Sequence, residues 1–301
     1  MGKGFLVKQS WVLAVGAWMA TAGLGAQTLP VVNNRPEPVE GLPRMAHVVV
    51  VIEENHSLDD LIVKEKKTCP YMNQLARSGA LLTQSYAVSH PSLPNYLALF
   101  SGSTQGVTDD GCEDAFSGPQ LASELVKAGL TFRAYSEALP SPGSTECHGQ
   151  DKNGYYKKHC PWAYWQGSGA FPADLNRPFS EFPKGHYDSL PTIAFVIPDE
   201  AHDMHEPNGY PPAADKWLKR NLEGYRRWAA RHNSLLIVTW DEDDYSQDNQ
   251  IPTIFCGARV RTGKCAEKTD HYGILRTLED MYGLKPLGES ARAFPVTSVF
   301  R

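Results

Sequence analysis

Four short polar clusters carry the residues whose types and spacing could do chemistry. They lie at positions 53–56, 89–95, 203–206 and 241–244. Their carboxylates, amides, histidines and serines are the groups that bind hard cations or act as nucleophiles, acids and bases. Each cluster follows a segment that the sequence predicts as a β-strand. Because ligands bind beyond the carboxyl ends of the strands in open α/β sheets, we expect the clusters to meet at one edge.

The acids among these clusters predict a metal site. The candidate ligands are all oxygen donors, namely Glu54, Asn55, Asp241 and Glu242. Such a set suits Mg²⁺, Ca²⁺ or Mn²⁺ better than Zn²⁺, which favours nitrogen and sulfur ligands. We therefore expect one divalent metal ion as the cofactor. For the run 241–244 taken alone, a solvated acidic loop is the alternative.

Ser92 is the candidate nucleophile. Pro94 disfavours helical geometry at Leu93, so the sequence predicts a tight turn at Ser92 and a helix that begins at Asn95. The free N–H groups at a helix start attract an anion. A serine beside a divalent cation can lose its proton and attack phosphorus. The alternative is that Ser92 only caps the helix.

Histidines in polar surroundings are candidates for proton transfer. They are His90, His159, His205 and His271. Spacing does not distinguish their roles, and a lone histidine is more often structural. A protonated imidazole can stabilise oxyanion charge or protonate a leaving alkoxide. Since histidine titrates near pH ~6.5, such a site would favour acid pH.

Strands and helices alternate along the chain, which predicts one α/β domain with a mostly parallel sheet. The predicted strands are 47–52, 81–88, 131–136, 191–197, 235–239 and 251–256, and the predicted helices are 71–77, 94–100, 121–128, 213–232 and 272–282. We expect a single catalytic domain at 45–301, preceded by a proline-rich extended lead-in at 27–44. The Pro-, Gly- and aromatic-rich stretch 138–190 interrupts the alternation, and we expect an inserted loop region that extends the site.

The composition is that of a globular protein, with 42% hydrophobic and 21% charged residues among 301. A net charge of −5 without a basic run argues against a nucleic-acid partner. Lys3 and Lys8 precede an apolar run and small residues up to Ala26, which predicts a signal peptide at 1–26. Cleavage after Ala22 fits the small-x-small rule best, cleavage after Ala26 also fits, and an uncleaved membrane anchor is the alternative. No later segment is apolar for long enough to span a membrane, so we expect a secreted or periplasmic monomer.

Six cysteines in an exported chain suggest three disulfides, for which fifteen pairings exist. Sequence proximity favours Cys147–Cys160 and Cys256–Cys265, which leaves Cys69–Cys112. No pair has Cys-x-x-Cys spacing, which argues against a zinc ribbon and against a thioredoxin-type site.

Together these motifs resemble the bacterial phosphoesterase family, which joins phospholipases C to secreted acid phosphatases. The segments that carry the resemblance are 53–57, 90–99, 203–206, 239–243 and 271–272, and the match extends over residues 45–285. The segments 157–162 and 249–253 are most similar to secreted acid phosphatases that act on phosphatidylinositol 3-phosphate. Glu206 departs from the aspartate common in close relatives. Sulfatases are set aside, because the sequence has no Cys-x-Pro-x-Arg.

The resemblance implies an alkaline-phosphatase-like α/β fold, a three-layer sandwich with a mostly parallel central sheet. It also implies that the four oxygen donors above hold the metal, that Ser92 becomes phosphorylated, and that His205 is an acid in contact with phosphate. His159 and His271 match further family histidines.

We therefore expect a secreted acid phosphatase that hydrolyses phosphate monoesters, either phosphorylated small molecules or a phosphoinositide. A phospholipase C-type phosphodiesterase with a wider mouth is the alternative. A non-catalytic, disulfide-stapled module that binds Ca²⁺ or glycans is a rival from another class, and it leaves the segment around Ser92 without a purpose. A serine esterase fits less well, since the sequence does not contain a complete Gly-x-Ser-x-Gly motif, in which such enzymes carry the nucleophile.

Overall fold

The computed structural model describes residues 1–2, 37–64, 67–166, 171–205 and 210–301. Within these residues, eight strands form one mixed central sheet. The strands are β1 (Val48–Glu53), β2 (Ala80–Tyr86), β3 (Phe132–Ser136), β4 (Asn176–Pro178), β5 (Ile193–Ile197), β6 (Leu235–Trp240), β7 (Gln250–Gly257) and β8 (Gly263–Asp270). Their order in the sheet is β4-β3-β5-β1-β6-β7-β2-β8. The α-helices are α1 (Pro70–Ser78), α2 (Ser92–Ser101), α3 (Leu121–Lys127), α4 (Pro211–Ala229) and α5 (His271–Met281).

The strand directions create the edge at which the polar clusters meet. All strands run the same way except β7, which is antiparallel to both β6 and β2. The central strand β1 pairs in parallel with β5 and with β6, and Val48 lies opposite Ile193 on one side and Leu235 on the other. All six residues of β1 are buried, as a continuous β-branched run in a parallel sheet requires.

Helices cover both faces of the sheet, which confirms the predicted α/β class and its three layers. Val48, Val50 and Ile52 face a core built with α2, α3 and α5. Val49 and Val51 face the opposite core, built with α1 and α4. The alternation of β1 side chains between two apolar cores accounts for its unbroken hydrophobic sequence.

Helix α2 begins at Ser92, three residues before the predicted start at Asn95. Pro94 is the third residue of this helix. A proline is tolerated in the first turn because the N–H that it lacks would have no partner within the helix. The prediction of a tight turn at Ser92 was therefore wrong.

Strand β8 was not predicted. Its side chains are mostly polar, with Lys264 and Lys268 exposed and Glu267 half-buried. It lies at the edge of the sheet, parallel to β2. Charged residues protect such an edge from pairing with other chains, so this strand lacks the hydrophobic pattern by which the others were recognised.

The predicted disulfides were wrong. All six cysteines lie among the described residues, and one disulfide joins Cys112 to Cys147. Cys256 and Cys265 lie on β7 and β8, which β2 separates in the sheet. Cys160 is buried with its Sγ 3.2 Å from the Ser136 Oγ atom, and Cys69 is buried at the start of α1. Proximity along the chain therefore did not indicate proximity in space.

The described residues from 37 onward belong to one compact unit that includes the 138–190 region. That region contains β4 and a series of short 3₁₀ turns. Residues 37–44 of the lead-in contain a turn and no helix. The predicted signal peptide, beyond residues 1–2, and residues 27–36 lie outside the described residues. Among the helices that the structure describes, none has both the length and the apolar character needed to cross a bilayer.

Candidate active site

The structure places the Ser92 hydroxyl among the predicted carboxylates. Ser92 is 1% exposed, and its Oγ donates a hydrogen bond of 3.0 Å to Oε2 of Glu54. The Asp241 carboxylate also lies close enough to interact with this hydroxyl. Glu54 follows β1, Asp241 follows β6, and Ser92 is the first residue of α2. Three of the four clusters thus converge on one point at the carboxyl edge.

Glu54 is the most heavily contacted of these acids. It is fully buried and accepts hydrogen bonds from Ser92 and from the Tyr96 hydroxyl. The His159 Nε2 atom lies 3.2 Å from its Oε1. Burial raises the pKa of Glu54 well above its usual value, and the nearby Asp241 raises it further. Such a carboxylate is costly to ionise unless a cation lies beside it.

Asn55 and Asp241 present buried side-chain oxygens at the ends of β1 and β6. Within the described residues, the buried Oδ1 of Asn55 and Oδ2 of Asp241 accept no hydrogen bond. The Asn55 backbone N–H donates to the other Asp241 oxygen at 3.2 Å, and its φ of 48° turns the chain at the end of β1. Buried polar atoms are rarely left unsatisfied. These orphaned oxygens, beside Glu54, fit the ligand set of a hard divalent cation.

Glu242 directly follows Asp241, but its carboxylate contacts His90. Its Oε2 is 2.7 Å from Nδ1 of His90, whose Nε2 is 3.4 Å from Asp243. The His90 ring stacks on Tyr245 with a centroid distance of 3.9 Å. Burial, together with Glu54, raises the pKa of Glu242 to about 8, and burial lowers that of His90. His90 therefore supports Glu242, and the structure shows no contact between its ring and Ser92.

His159 lies inside the site. It is 2% exposed, stacks on Tyr96, and places Nδ1 3.6 Å from Oδ2 of Asp203. Burial, Lys158 and His205 lower its pKa well below the usual value. It belongs to the 138–190 region, which thus contributes a side chain to this cluster.

His205 lies next to His159, with ring centroids 6.3 Å apart. Its Nδ1 is 3.4 Å from Oε2 of Glu200, and its backbone N–H donates to Asp203. A quarter of its side chain is exposed. It therefore combines access to solvent with a carboxylate that can hold its proton. The neighbouring Glu206 lies outside the described residues.

His271 opens helix α5 and contacts the main chain of the site. Its Nε2 donates a hydrogen bond of 2.6 Å to the carbonyl oxygen of Asp241. Burial lowers its pKa. This contact positions the Asp241 backbone, and no described contact links the His271 ring to Ser92.

Several site residues were missed or had no predicted role. Tyr96 lies four positions after Ser92, one helical turn away on the same face, a spacing that could have indicated it. Lys158 precedes His159 and places its Nζ 3.2 Å from Asp110 and 3.4 Å from Nε2 of His205. Burial lowers the pKa of this ammonium, but neighbouring carboxylates led by Glu54 raise it above its usual value. No sequence signal indicated Asp110.

A second ionic cluster lies beside the site. His202 Nδ1 is 2.7 Å from Asp199 and 3.0 Å from Glu137. These hydrogen bonds raise the pKa of His202 to about 10, so it is a cation at neutral pH. Burial raises the pKa of Glu53, whose carboxylate has no hydrogen-bond partner in the described parts of the chain. The electrostatic attraction between His202 and Glu53 lowers the pKa of Glu53 and so partly offsets the effect of burial.

A cavity of about 530 Å³ opens beside Asn55. Its lining is mostly polar and aromatic, and consists of Asn55, His56, Asp60, Tyr210, Pro211, Pro212, Asp244 and Tyr245. Of the metal-fitting residues, Asn55 lines this cavity.

Comparison with known proteins decides the family. The model of the phosphoesterase family matches residues 63–285. The chain belongs to the phosphoesterase family. The family resemblance deduced from the motifs is thereby confirmed.

Two curated relatives show how this phosphoesterase compares with named enzymes. It is 47% identical over 261 residues to a phosphatidylinositol-3-phosphatase of Mycobacterium tuberculosis, covering 86% of this chain and 84% of that protein. It is 28% identical over 257 residues to an acid phosphatase of Aspergillus fumigatus, covering 78% of this chain and 54% of that protein. The chain thus spans about half the length of this fungal relative.

Solved structures confirm the alkaline-phosphatase-like fold. An alkaline phosphatase superfamily protein from Vibrio parahaemolyticus matches with a TM-score of 0.55 and 13% identity, over 85% of this chain and 72% of that one. A putative sulfatase from Bacteroides thetaiotaomicron matches with a TM-score of 0.59 and 13% identity, over 86% and 75% of the two chains. At this identity the likeness concerns the fold alone.

Proposed function

We propose that this phosphoesterase is an acid phosphatase in which Ser92 attacks a phosphate monoester, assisted by one divalent metal ion. The observation that carries the proposal is the buried Ser92 hydroxyl, hydrogen-bonded to Glu54 at the start of α2. The names of the relatives support phosphate monoesters as substrates. The 47% identity to a phosphatidylinositol-3-phosphatase supports a phosphoinositide among them.

The metal would be held by Glu54, Asn55 and Asp241, with Glu242 beside them. The orphaned oxygens of Asn55 and Asp241 and the buried Glu54 carboxylate favour Mg²⁺, Ca²⁺ or Mn²⁺. When bound, the ion supplies charge neutralisation for phosphoryl oxygens and lowers the pKa of a neighbouring hydroxyl.

The residues of the chain then divide the reaction between them. Glu54 orients the Ser92 Oγ, which gives up its proton to solvent and forms a bond to phosphorus while the bond to the leaving oxygen breaks. His205, a quarter exposed and held by Glu200, donates a proton to that oxygen. His159, which lies between Glu54 and Asp203, orients the Glu54 carboxylate. Water then gives a proton back to His205 and attacks phosphorus, and the Ser92 Oγ leaves, takes up a proton from solvent and becomes a hydroxyl again.

The cavity beside Asn55 is the proposed place for the leaving alcohol. Asp60 and Asp244 offer carboxylates that accept hydrogen bonds, and Tyr245 offers a ring face. This lining suits a hydroxyl-bearing alcohol better than a purely apolar one.

We further propose that the protein acts as a monomer outside the cytoplasm, either secreted or in the periplasm. The signal-like sequence at 1–26 supports export. The Cys112–Cys147 disulfide supports an oxidising compartment.

One assay panel tests the function. Wild-type protein and Ser92→Ala are compared on p-nitrophenyl phosphate, on phosphatidylinositol 3-phosphate vesicles and on phosphatidylcholine vesicles, with and without a chelator. We expect hydrolysis of the two monoesters, best at acid pH, and its loss in Ser92→Ala and with chelator. Ser180→Ala, an exposed serine, is the matched control. Full activity in folded Ser92→Ala would refute the nucleophile, and hydrolysis of phosphatidylcholine alone would favour the phosphodiesterase.

A further inference from the structure

We propose that Lys158 is a phosphate-binding residue of this site, and that it acts together with the backbone N–H of Leu93. In this structure the Asp110 carboxylate stands where the phosphoryl oxygens of the substrate would lie. The inference rests on the proposed phosphatase function and assigns two further contacts to the transferred group.

Lys158 brings a cation to the centre of an acidic site. Its Nζ lies 3.4 Å from Nε2 of His205, the proposed acid, and it interacts electrostatically with Glu54 and Glu200. Only 13% of its side chain is exposed. The ammonium therefore lies beside the imidazole that would protonate the leaving group and interacts electrostatically with the carboxylate that orients Ser92. The transferred phosphoryl group would bind next to those same two residues.

Asp110 marks the position of an anion. Its Oδ1 accepts the Leu93 N–H at 2.9 Å, and its Oδ2 lies 3.2 Å from Nζ of Lys158. Leu93 directly follows Ser92 in the first turn of α2, where backbone N–H groups have no partner within the helix. One carboxylate thus joins a helix-start N–H to an ammonium. Two oxygens of a phosphoryl group can bind the same two donors.

Contacts around Asp110 and Lys158 hold the two residues close to each other. Lys157 donates from Nζ to the Cys112 carbonyl at 2.7 Å, and the Tyr164 hydroxyl donates to the Gly111 carbonyl at 3.0 Å. The Cys112–Cys147 disulfide joins the Asp110 loop to the 138–190 region that carries Lys158. The ammonium and the carboxylate are therefore held near each other from both sides.

Charge balance requires such a cation. Glu54, Glu200 and Asp203 are all buried at this edge, and each would repel a phosphate dianion if ionised. Lys158 lies beside His205 and interacts electrostatically with Glu54 and Glu242. A cation there stabilises charge on the phosphoryl oxygens.

The experiment compares Lys158→Met and Lys158→Arg with wild-type protein. The readouts are kcat and KM for p-nitrophenyl phosphate and the inhibition constant for inorganic phosphate. We expect Lys158→Met to lower kcat/KM by about a hundredfold or more, the scale seen when one oxyanion donor is removed, and to weaken phosphate inhibition. Lys158→Arg is expected to recover part of both. Lys127→Met makes the same charge change at an exposed site and should match wild type.

Asp110→Asn tests the same proposal without removing the lysine. The neutral amide competes less with phosphate, so we expect inorganic phosphate to inhibit this variant more strongly than wild type. Folding of each variant is checked by its thermal unfolding midpoint. Wild-type kinetics in folded Lys158→Met, or weaker phosphate inhibition in Asp110→Asn, would overturn the inference. If Ser92→Ala is also inactive, the proposed function survives that failure, whereas an active Ser92→Ala would refute the function itself.

Discussion

The Ser92 hydroxyl and the Glu54 carboxylate are joined by a hydrogen bond of 3.0 Å across 38 positions of sequence. Glu54 comes from the end of the central strand β1, and Ser92 from the start of the helix that follows β2. Between them in the sheet lie β6 and β7. The bond therefore exists because parallel strands end at one edge, and it depends on the register of the whole sheet.

Asp241→Asn should weaken metal binding. Its Oδ2 is one of the orphaned oxygens, and replacing the carboxylate with an amide removes a negative charge from the proposed ligand set. We expect the affinity for Mg²⁺ or Mn²⁺ to fall by about tenfold or more. Metal content after dialysis and titration of activity with metal measure the effect. Asp248→Asn, an exposed acid in the same loop, is the matched control. Equal metal content in both variants would contradict the ligand assignment.

Tyr96→Phe should destabilise the protein and slow turnover. The Tyr96 hydroxyl donates to the buried Glu54 carboxylate. Without it, the described residues leave that carboxylate the Ser92 hydrogen bond and the 3.2 Å contact with His159. Losing one donor to a buried charged group costs about 1–3 kcal/mol. Urea unfolding gives the stability, and kcat gives the catalytic effect. Tyr156→Phe removes a hydroxyl that donates to the Lys152 carbonyl at the surface, so a loss as large as that of Tyr96→Phe would contradict the assignment.

Glu279→Gln should remove a pH dependence of stability. Burial raises the pKa of Glu279 to about 8, whereas an unfolded glutamate titrates near 4.3. The folded protein therefore keeps a proton that the unfolded chain releases, so the stabilisation is complete below about pH 4 and is lost as pH rises to about 8. A glutamine stays neutral and can still pair with Ser290 and the Leu287 N–H.

The free energy of unfolding, measured by urea from pH 5 to pH 8, checks this prediction. Relative to wild type, Glu279→Gln should become steadily more stable as pH rises. Glu289→Gln, an exposed acid next to Ser290, should follow wild type. Parallel curves for wild type and Glu279→Gln would show that Glu279 titrates normally.

Removing the disulfide should lower stability. Cys112 and Cys147 close a loop with a sequence separation of 35, for which chain entropy predicts a loss of about 3–4 kcal/mol in the free energy of unfolding. The double variant Cys112→Ser/Cys147→Ser, unfolded by urea, measures it. Cys265→Ser changes a partly exposed free thiol and should have little effect. A double variant as stable as wild type would mean that the pair does not constrain the unfolded chain.

The order of elements was predictable from local pattern. The alternation of predicted strands and helices indicated the α/β class, and the helix predicted at 213–232 overlaps α4 (Pro211–Ala229). Strand β8 was not predicted because it is an edge strand that pairs with β2 alone, and its sequence shows no hydrophobic period. The predicted start of α2 was wrong because it rested on Pro94 disfavouring helical geometry at Leu93. The first turn of a helix accepts a proline.

The sequence by itself determined which reactive residue types follow the strands, namely acids after β1 and β6 and a serine next to a helix start. It also determined the family that these motifs resemble. Only the tertiary structure decided which groups meet. Glu242 contacts His90, His271 contacts the Asp241 carbonyl, Cys112 pairs with Cys147, and Asp110 contacts both Lys158 and the residue after Ser92. The physical reason is that residue type and strand order are local properties of the chain. Distances across the edge arise from sheet register and loop packing, to which residues far apart in sequence contribute together.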